Sequence, residues 1–370
     1  MTLNLTAHQA RLLRTRAQLL ASPTLKLTPG ELLTNIFAVQ AQNLGAAYQS
    51  MGVRSQGLTE AQLAHERQFD SEICWRWSLR GTLHLMTVED ARWITPLMAE
   101  DLVAANRLRL KQLGYTDRLA ENAVDLVLHQ IEQHGEQTRE EIARLLKENK
   151  LPFEGQATVH ILFKAVWQAG VCPGADRGKK PTYTLFEKRY GAFKPRPRGE
   201  ALAELVLRYL KAYSPARPQD FAVWSGVKIS EVRSLWPGLQ DQITEVEIEG
   251  APNWMLNEQI HWVDELESQP PVLRLLPYFD TYLLGYANRE LTIPKAFTSR
   301  VLKGGVIDAM VALDGWIIGT WKLTSRRGGL DLSVQYFEEQ PKKLQPLIEA
   351  EAKNLSRFLE KTVTFKVGEP

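Results

Sequence analysis

Two glutamine side chains, Gln40 and Gln42, are the residues of this chain whose type and spacing most directly suggest chemistry. They follow a helix start in which Thr28, Pro29 and Glu31 supply an N-cap, a first-turn proline and a capping-box carboxylate. On a continuing helix, residues two apart diverge by about 200°, so the two side chains would not share a site. In an extended segment or a turn they would point the same way. The pair would then offer two carbonyl acceptors and two NH2 donors without charge, whereas the structural alternative is a polar helix end.

The other candidate groups are isolated. The seven histidines form no recognisable metal set, and we expect neither a metal nor a cofactor. His84 lies between Leu83 and Leu85 on a strand candidate; with Arg80 nearby it could face a groove, and the alternative is a hydrogen-bonded structural histidine. Asp280 could bind a water or act as an acid or base, and a structural turn cap is the favoured interpretation.

Composition describes an ordinary globular protein. The 370 residues are enough for two or three domains, with 44% hydrophobic and 24% charged residues. Cys74 and Cys172 show no CxxC spacing, which favours a reducing compartment and argues against a zinc module or a disulfide framework. No apolar run approaches the roughly 20 residues that span a membrane, and no signal peptide is visible, so we expect a cytoplasmic protein without a membrane partner. The P-loop, GxGxxG, HExxH and GxSxG motifs are absent from the sequence.

Two stretches concentrate basic residues in a chain whose formal net charge is only +2. The first runs from Arg177 to Arg198, with aromatic residues interleaved and only Glu187 opposing it, and the second surrounds two Gly-Gly turns late in the chain. Contacts with nucleic-acid phosphates would make binding salt-dependent. We therefore predict DNA contacts at Arg177, Lys179, Lys180, Arg300, Lys303, Arg326 and Arg327, and we add Arg80 and His84 from the strand candidate that could face a groove. The alternatives are a solvated linker for the first stretch and exposed hairpin ends for the second.

The order of helix, helix and hairpin, which is that of a winged helix, is predicted three times. The first round has helices over 7–21 and within 28–52, strands over 76–80 and 82–86, and then a helix that Thr87 caps with Asp90. The second has helices over 118–134, 139–149 and 155–170, the middle one capped by Thr138 with Glu141, and strands over 171–172 and 181–186 flanking a basic loop, 174–180. The third has helices over 199–212, 218–225 and 229–236 and a hairpin over 243–248 and 253–256.

The last third of the chain changes character. Strands are predicted over 273–276, 309–313, 316–323, 330–336 and 363–367, with a type I′ turn at Asp314-Gly315 and a long helix over 341–360. This is an α/β region with an antiparallel sheet. The fold class is therefore α+β, with domains over 1–117, 118–198, 199–267 and 268–370.

Four segments in this order resemble one family, the AlkZ-like winged-helix DNA glycosylases. They are VQAQ at 39–42, RGTLHL with TVED at 80–90, LPYFDTYLLGY at 276–286 and VALDGWIIGTW at 311–321. The first is similar to the family's Gln-apolar-Gln catalytic motif, which assigns the catalytic role to Gln40 and Gln42. A related branch has Asp in the second position, whereas this chain keeps Gln. The resemblance also implies a C-shaped protein of tandem winged helices around a DNA channel.

The activity that the resemblance implies is excision of N-alkylated purines, in some members from interstrand crosslinks. An alkylated purine is cationic and leaves readily, so the enzyme must position a water and stabilise an oxocarbenium-like sugar, which amide carbonyls can do as fixed dipoles. We expect a monofunctional glycosylase for N7-alkylguanine or N3-alkyladenine, acting on double-stranded DNA without an obligate protein partner and without strand cleavage. The alternatives are a non-enzymatic winged-helix DNA-binding protein or transcriptional regulator, and a protein–protein interaction module.

Overall fold

The chain forms two compact units in the computed structural model, which describes residues 3–21, 25–70, 72–268 and 270–368, apart from the side chains at 267, 268, 303 and 342. The first unit contains residues 1–64 and 202–370, and the second contains residues 65–201. The predicted first domain, 1–117, is thus divided between the units, while the predicted boundary at 198 lies close to a unit border. The finer division into four domains stays a prediction.

The α-helices of the described ranges, α1 to α15 in chain order, are Ala7–Ala17, Pro29–Ile36, Leu44–Gly52, Glu60–Phe69, Val88–Gln112, Asp117–His134, Arg139–Glu148, Ala157–Ala169, Phe186–Tyr190, Arg198–Tyr213, Pro218–Ser225, Ile229–Leu235, Thr281–Leu284, Thr298–Val301 and Gln345–Leu359. Their starts follow the sequence signals: Thr28 with Glu31 and Thr138 with Glu141 form capping boxes, and Thr87 accepts a hydrogen bond from the amide of Asp90. None of these helices is long and apolar enough to cross a membrane.

The strands of the described ranges, β1 to β16 in chain order, are Leu3–Leu5, Ala38–Gln40, Ile73–Trp77, Leu83–Thr87, Gln137–Thr138, Val171–Arg177, Lys180–Leu185, Ile243–Ile248, Ala251–Leu256, Leu273–Leu276, Leu302–Lys303, Val306–Ile307, Met310–Leu313, Trp316–Arg326, Gly329–Tyr336 and Val363–Gly368. Short 3-10 helices occupy Leu79–Gly81, Trp236–Leu239, Asn257–Ser268, Lys295–Phe297 and Lys342–Leu344. The mixture of helices and small sheets confirms the α+β class.

The first unit is built around a five-stranded sheet with the order β10-β13-β14-β15-β16. Helix α15 covers one face, where Ile348 and Ala352 pack with buried residues such as Val311 and Leu332. Asp314 and Gly315 both have positive φ, 48° and 77°, as the predicted type I′ turn requires. A second sheet of this unit has the order β1-β8-β9.

The prediction that the C-terminal sheet is antiparallel is wrong for its last strand. Strand β16 pairs in parallel with β15, with Leu330 opposite Val363 and Gln335 opposite Gly368. The physical reason is the connection: α15 lies between the two strands in the sequence, and a helical crossover returns the chain in the same direction.

The second unit contains two hairpins and the helices that support them. Strands β3 and β4 pair antiparallel, and the sheet β5-β7-β6 contains the hairpin of β6 and β7, whose turn carries the predicted basic loop. The predicted basic loop 174–180 is wrong in extent, because the strands continue to Arg177 and resume at Lys180, with an irregularity between Pro173 and Asp176.

Two predicted ends also differ. Helix α1 stops at Ala17 rather than 21, because Leu19 takes the left-handed φ of 56°. Strand β3 stops at Trp77 rather than 80, because the chain turns through Leu79–Gly81, where Arg80 has φ 55°.

Candidate active site

The chain leaves helical geometry between α2 and α3, and this places Gln40 and Gln42 together. Nε2 of Gln40 donates a hydrogen bond to Oε1 of Gln42 at 2.9 Å. The intervening Ala41 is fully buried, whereas Gln40 is half-buried and Gln42 is exposed. The alternation of an extended segment thus puts both amides on one side, which is the first of the two alternatives that the sequence left open, and the polar helix end is not formed. Helix α3 restarts immediately, with Asn43 as its N-cap.

Phe37 ends helix α2 immediately before the segment that contains Gln40 and Gln42. Its backbone has φ 71° and ψ −65°, a strained γ-turn conformation that residues with a Cβ rarely adopt. The surrounding packing stabilises this conformation, because the ring of Phe37 is completely buried. The ring packs edge-on against Trp224, with 5.6 Å between the centroids, and the guanidinium carbon of Arg208 lies 5.2 Å from its centroid. Such conformations persist only where the neighbourhood over-determines them.

A buried ion pair anchors the far end of α3. Arg54 donates to both carboxylate oxygens of Asp280, Nη1 to Oδ2 at 2.8 Å and Nη2 to Oδ1 at 2.7 Å, and both side chains are fully buried. Ser50 Oγ, from α3 itself, donates to the same carboxylate at 2.7 Å. Asp280 also accepts a hydrogen bond from the amide of Tyr282 as the N-cap of α13. The structural interpretation of Asp280 is confirmed.

His84 is a structural histidine, and the structure does not support its predicted contact with DNA. The side chain is 3% exposed, and Nδ1 lies 3.0 Å from the carbonyl oxygen of Thr82. Burial lowers the pKa of His84 from 6.5 to about 3, and the nearby Arg80 acts in the same direction. The imidazole is therefore neutral at physiological pH, although strand alternation alone had left it free to face a groove. Arg80 itself is half-buried at the left-handed turn.

The first basic stretch is far less positive than its sequence suggests, because acidic residues distant in the chain pair with it. Five of its eight basic residues form ion pairs of 2.7 to 3.8 Å: Arg177 with Glu141, Lys180 with Glu140, Arg189 with Glu136, Lys194 with Glu89 and Arg198 with Asp101. Arg196 stacks on Trp93 at 5.0 Å. Lys179 is exposed in the hairpin turn, where the described residues supply no ion-pair partner for it. The expected local positive patch is thus largely neutralised.

The second basic stretch lies on exposed turns of the first unit. Arg326 and Arg327 sit at the tip of the β14–β15 hairpin, where Arg326 pairs with Asp331 at 3.0 Å. Arg300 is exposed and stacks on Phe337 at 5.3 Å. Lys303 belongs to strand β11, and its side chain lies outside the described part. Within the described ranges, no three His, Cys, Asp or Glu side chains are grouped to hold a metal ion.

Sequence reasoning missed the residues that position the glutamines. The strained Phe37 carries no local signal, since glycine or asparagine would be expected at positive φ. Arg54 lies 226 residues from its partner Asp280, so only the three-dimensional structure reveals the pair.

Comparisons of the sequence and of the fold with known proteins identify the family of this chain. The family model described as "DNA glycosylase AlkZ-like" matches residues 33–358. An interstrand DNA cross-link repair glycosylase of Streptomyces sahachiroi is 26% identical over 350 residues, which cover 90% of this chain and 92% of that protein. The solved structure of the Streptomyces sahachiroi DNA glycosylase AlkZ superposes with a TM-score of 0.82 at 25% identity, covering 99% of this chain and 100% of that one. The segments that first suggested the resemblance lie within or overlap the matched region, and the chain belongs to the AlkZ-like DNA glycosylase family.

Proposed function

We propose that this DNA glycosylase hydrolyses the N-glycosidic bond of cationic N-alkylated purines, N7-alkylguanine or N3-alkyladenine, in double-stranded DNA. We include purines held in interstrand crosslinks, because the similar Streptomyces protein bears the name of a cross-link repair enzyme. The observation that carries the proposal is the hydrogen bond between Gln40 and Gln42, which holds two uncharged amides side by side at the surface.

The chemistry matches what a neutral pair can supply. A cationic base leaves without being protonated, so no general acid is required. The sugar becomes oxocarbenium-like as the bond breaks, and a carbonyl oxygen held in place stabilises that charge without reorganising. A normal purine, whose leaving group needs more help, would be spared.

The hydrogen bond gives the two glutamines different roles. Gln40 uses an Nε2 proton to bind Oε1 of Gln42, which fixes the rotation of both amides. An amide oxygen has two lone pairs, so Oε1 of Gln42 retains one for a water or for the sugar cation. The second position needs only an acceptor, which agrees with the carboxylate found there in the related branch of the family.

DNA binding is assigned to the exposed basic turns. Arg327 at the β14–β15 tip and Lys179 at the β6–β7 turn are exposed, and Arg300 is exposed beside Phe337. Arg177 and Lys180 would have to leave Glu141 and Glu140 to reach a phosphate. We further infer that the helix–helix–hairpin segments act as winged helices.

The decisive experiment is base release from a duplex with a single N7-methylguanine, measured as alkali-labile strand breaks. Wild type should release the base, and the Gln40→Ala/Gln42→Ala variant should lose about 10²- to 10³-fold in rate. Gln240→Ala, an exposed glutamine outside the pair, is the control and should retain full activity. Equal release by all three proteins would reject the site.

A second substrate tests the lesion class. If wild type leaves N7-methylguanine intact, a duplex carrying a nitrogen-mustard crosslink is tried with the same variants. Inactivity on both, together with sequence-selective binding of undamaged DNA, would replace the proposal with the regulator alternative.

A further inference from the structure

A polar cavity of about 390 Å³ lies in the first unit, and no part of the proposed reaction uses it. Its wall combines Arg11 and Arg14 of α1 with Arg217, which precedes α11, and with the turn between β8 and β9. Arg11 and Arg14 are three residues apart on one helix and therefore share a face. Nε of Arg217 pairs with Oδ2 of Asp220 at 3.4 Å, so Arg11 and Arg14 are the two guanidinium groups of this wall that remain to be accounted for.

Arg14 is buried and has donors to spare. The residue is 3% exposed, its Nε donates to the carbonyl oxygen of Pro215 at 3.0 Å, and its guanidinium lies 3.8 Å from the ring centroid of Tyr286. The described residues provide no hydrogen-bond partner for its two terminal nitrogens. A desolvated cation with unused donors is costly unless an anion completes it.

Arg11 repeats this arrangement one turn earlier. Its guanidinium lies 4.8 Å from the ring centroid of Trp316, and its Nε is buried without a hydrogen-bond partner in the described ranges. Burial lowers the pKa of Arg11 from its ordinary value. Two neighbouring arginines are therefore held against aromatic rings with their donors unused.

Acidic residues near the cavity act on Arg11 only from beyond ion-pair distance: the charges of Glu249 and Asp314 favour its protonated form but do not outweigh the effect of burial on its pKa. Oδ1 of Asp220 accepts from the amide of Ala287 at 2.9 Å, and Oδ2 accepts from the amide of Arg217 at 3.0 Å. Glu249 and Glu290 also line the cavity, and both are exposed. Neither Arg11 nor Arg14 forms an ion pair with any residue that the structure describes.

We propose that this cavity binds an oxyanion of the phosphate class. Planar guanidinium groups match the geometry of phosphate oxygens and bind them through paired hydrogen bonds. The cavity falls within the size range of small-ligand sites, so the phosphate of a larger group can enter. The source is either a DNA backbone phosphate or a free phosphorylated compound, and the two share this chemistry.

Inorganic phosphate is the probe, titrated by calorimetry and by thermal shift at constant ionic strength set with sodium chloride. Wild type should show saturable binding, and Arg11→Gln should bind at least about tenfold more weakly, the loss of one charge-assisted contact. Arg16→Gln is the matched control: it lies on the same helix, stacks on Trp262 at 4.7 Å and pairs with Glu265 outside the cavity. Arg11→Lys keeps the charge without the planar fork and should bind with intermediate affinity.

Binding of a fluorescent undamaged duplex separates the two sources. If phosphate displaces the duplex and Arg11→Gln weakens duplex binding, the site holds a backbone phosphate. If Arg11→Gln loses phosphate but binds the duplex like Arg16→Gln, the site holds a free phosphorylated compound. A linear, unsaturable response in wild type, or equal phosphate affinity in the Arg11→Gln and Arg16→Gln variants, overturns the proposal. Because the assay does not use base release, it is independent of the proposed glycosylase reaction.

Discussion

Gln40 donates to Gln42, and not the reverse, across 2.9 Å between Nε2 and Oε1. The proposed reaction therefore places different requirements on the two positions of the motif. The first position supplies a proton donor together with its own carbonyl oxygen. The second position supplies an acceptor to its neighbour, and in the proposed reaction it would offer a further lone pair to the water or the sugar cation.

Replacing each glutamine by glutamate tests this polarity. Gln42→Glu keeps the acceptor and adds negative charge near the developing sugar cation, so we expect activity within about tenfold of wild type. Gln40→Glu removes the Nε2 donor and places a carboxylate oxygen next to Oε1 of Gln42, where neither can donate a hydrogen bond. We therefore expect the rate of base release to fall by about 10²-fold or more. Single-turnover base release measures both rates, and equal effects of the two substitutions would contradict the assigned polarity.

At Phe37, replacement by glycine should destabilise the protein less than replacement by alanine, which is the reverse of the order in a helix. Either substitution loses the buried ring, but glycine also removes the Cβ that makes a φ of 71° costly, so Phe37→Gly should be about 1 kcal/mol more stable than Phe37→Ala. Phe221, buried inside helix α11, is the matched control. There Gly should be about 1 kcal/mol worse than Ala, as in any helix. Denaturant unfolding of the four variants gives the comparison.

Two buried arginines should differ in how much stability they lose on replacement by methionine. Arg54→Met leaves the carboxylate of Asp280 buried without its cation, and we expect a loss of about 3–5 kcal/mol in unfolding free energy. Arg76 instead lies 5.0 Å from the ring centroid of Phe186, and its terminal nitrogens have no hydrogen-bond partner in the described ranges. Arg76→Met loses the hydrogen bond from Nε to the carbonyl oxygen of Trp77 at 3.3 Å and the contacts with the rings of Phe186, Trp167 and Phe193. It leaves no buried carboxylate without its cation, so we expect a loss of no more than about 2 kcal/mol, or a gain. If Arg54→Met and Arg76→Met both lost more than about 3 kcal/mol in unfolding free energy, the predicted difference between the two arginines would be wrong.

His84 should make stability depend on pH in the acid range. Between its ordinary pKa of 6.5 and its folded value of about 3, the unfolded chain binds a proton that the folded chain does not. Stability therefore falls as the pH falls through this window, by about 2 kcal/mol from this residue between neutral pH and pH 5. His84→Gln should lose this component, whereas the exposed His129→Gln should retain it. Unfolding free energies at the two pH values provide the measurement.

The salt dependence of DNA binding should identify which arginines meet phosphate. Arg327→Gln should reduce the slope of log affinity against log salt by about 0.9, the value for one phosphate contact. Arg177→Gln should change it less, because Glu141 already holds that side chain at 2.7 Å. Identical slopes for wild type and Arg327→Gln would remove the β14–β15 tip from the interface.

The elements with strong local signals were predictable from the sequence, and those defined by distant partners were not. The Thr28–Glu31 capping box and the Asp314–Gly315 turn are local and appear as expected. The neutralisation of Arg177 depends on Glu141 from an earlier helix, which no window of sequence contains. The parallel pairing of β16 likewise depends on where a crossover helix returns the chain. For the glutamine pair, period-two spacing predicted the shared direction, but the hydrogen bond and its polarity required coordinates.

The first unit is assembled from the two ends of the chain, residues 1–64 and 202–370, with the second unit inserted between them. The segment that carries Gln40 emerges early from the ribosome, whereas Trp224 and Asp280, which brace its surroundings, are synthesised much later. Domains generally fold as units during synthesis. The inserted residues 65–201 can therefore fold first, and a nascent or prematurely terminated chain lacks the packing that holds the segment of the two glutamines in place.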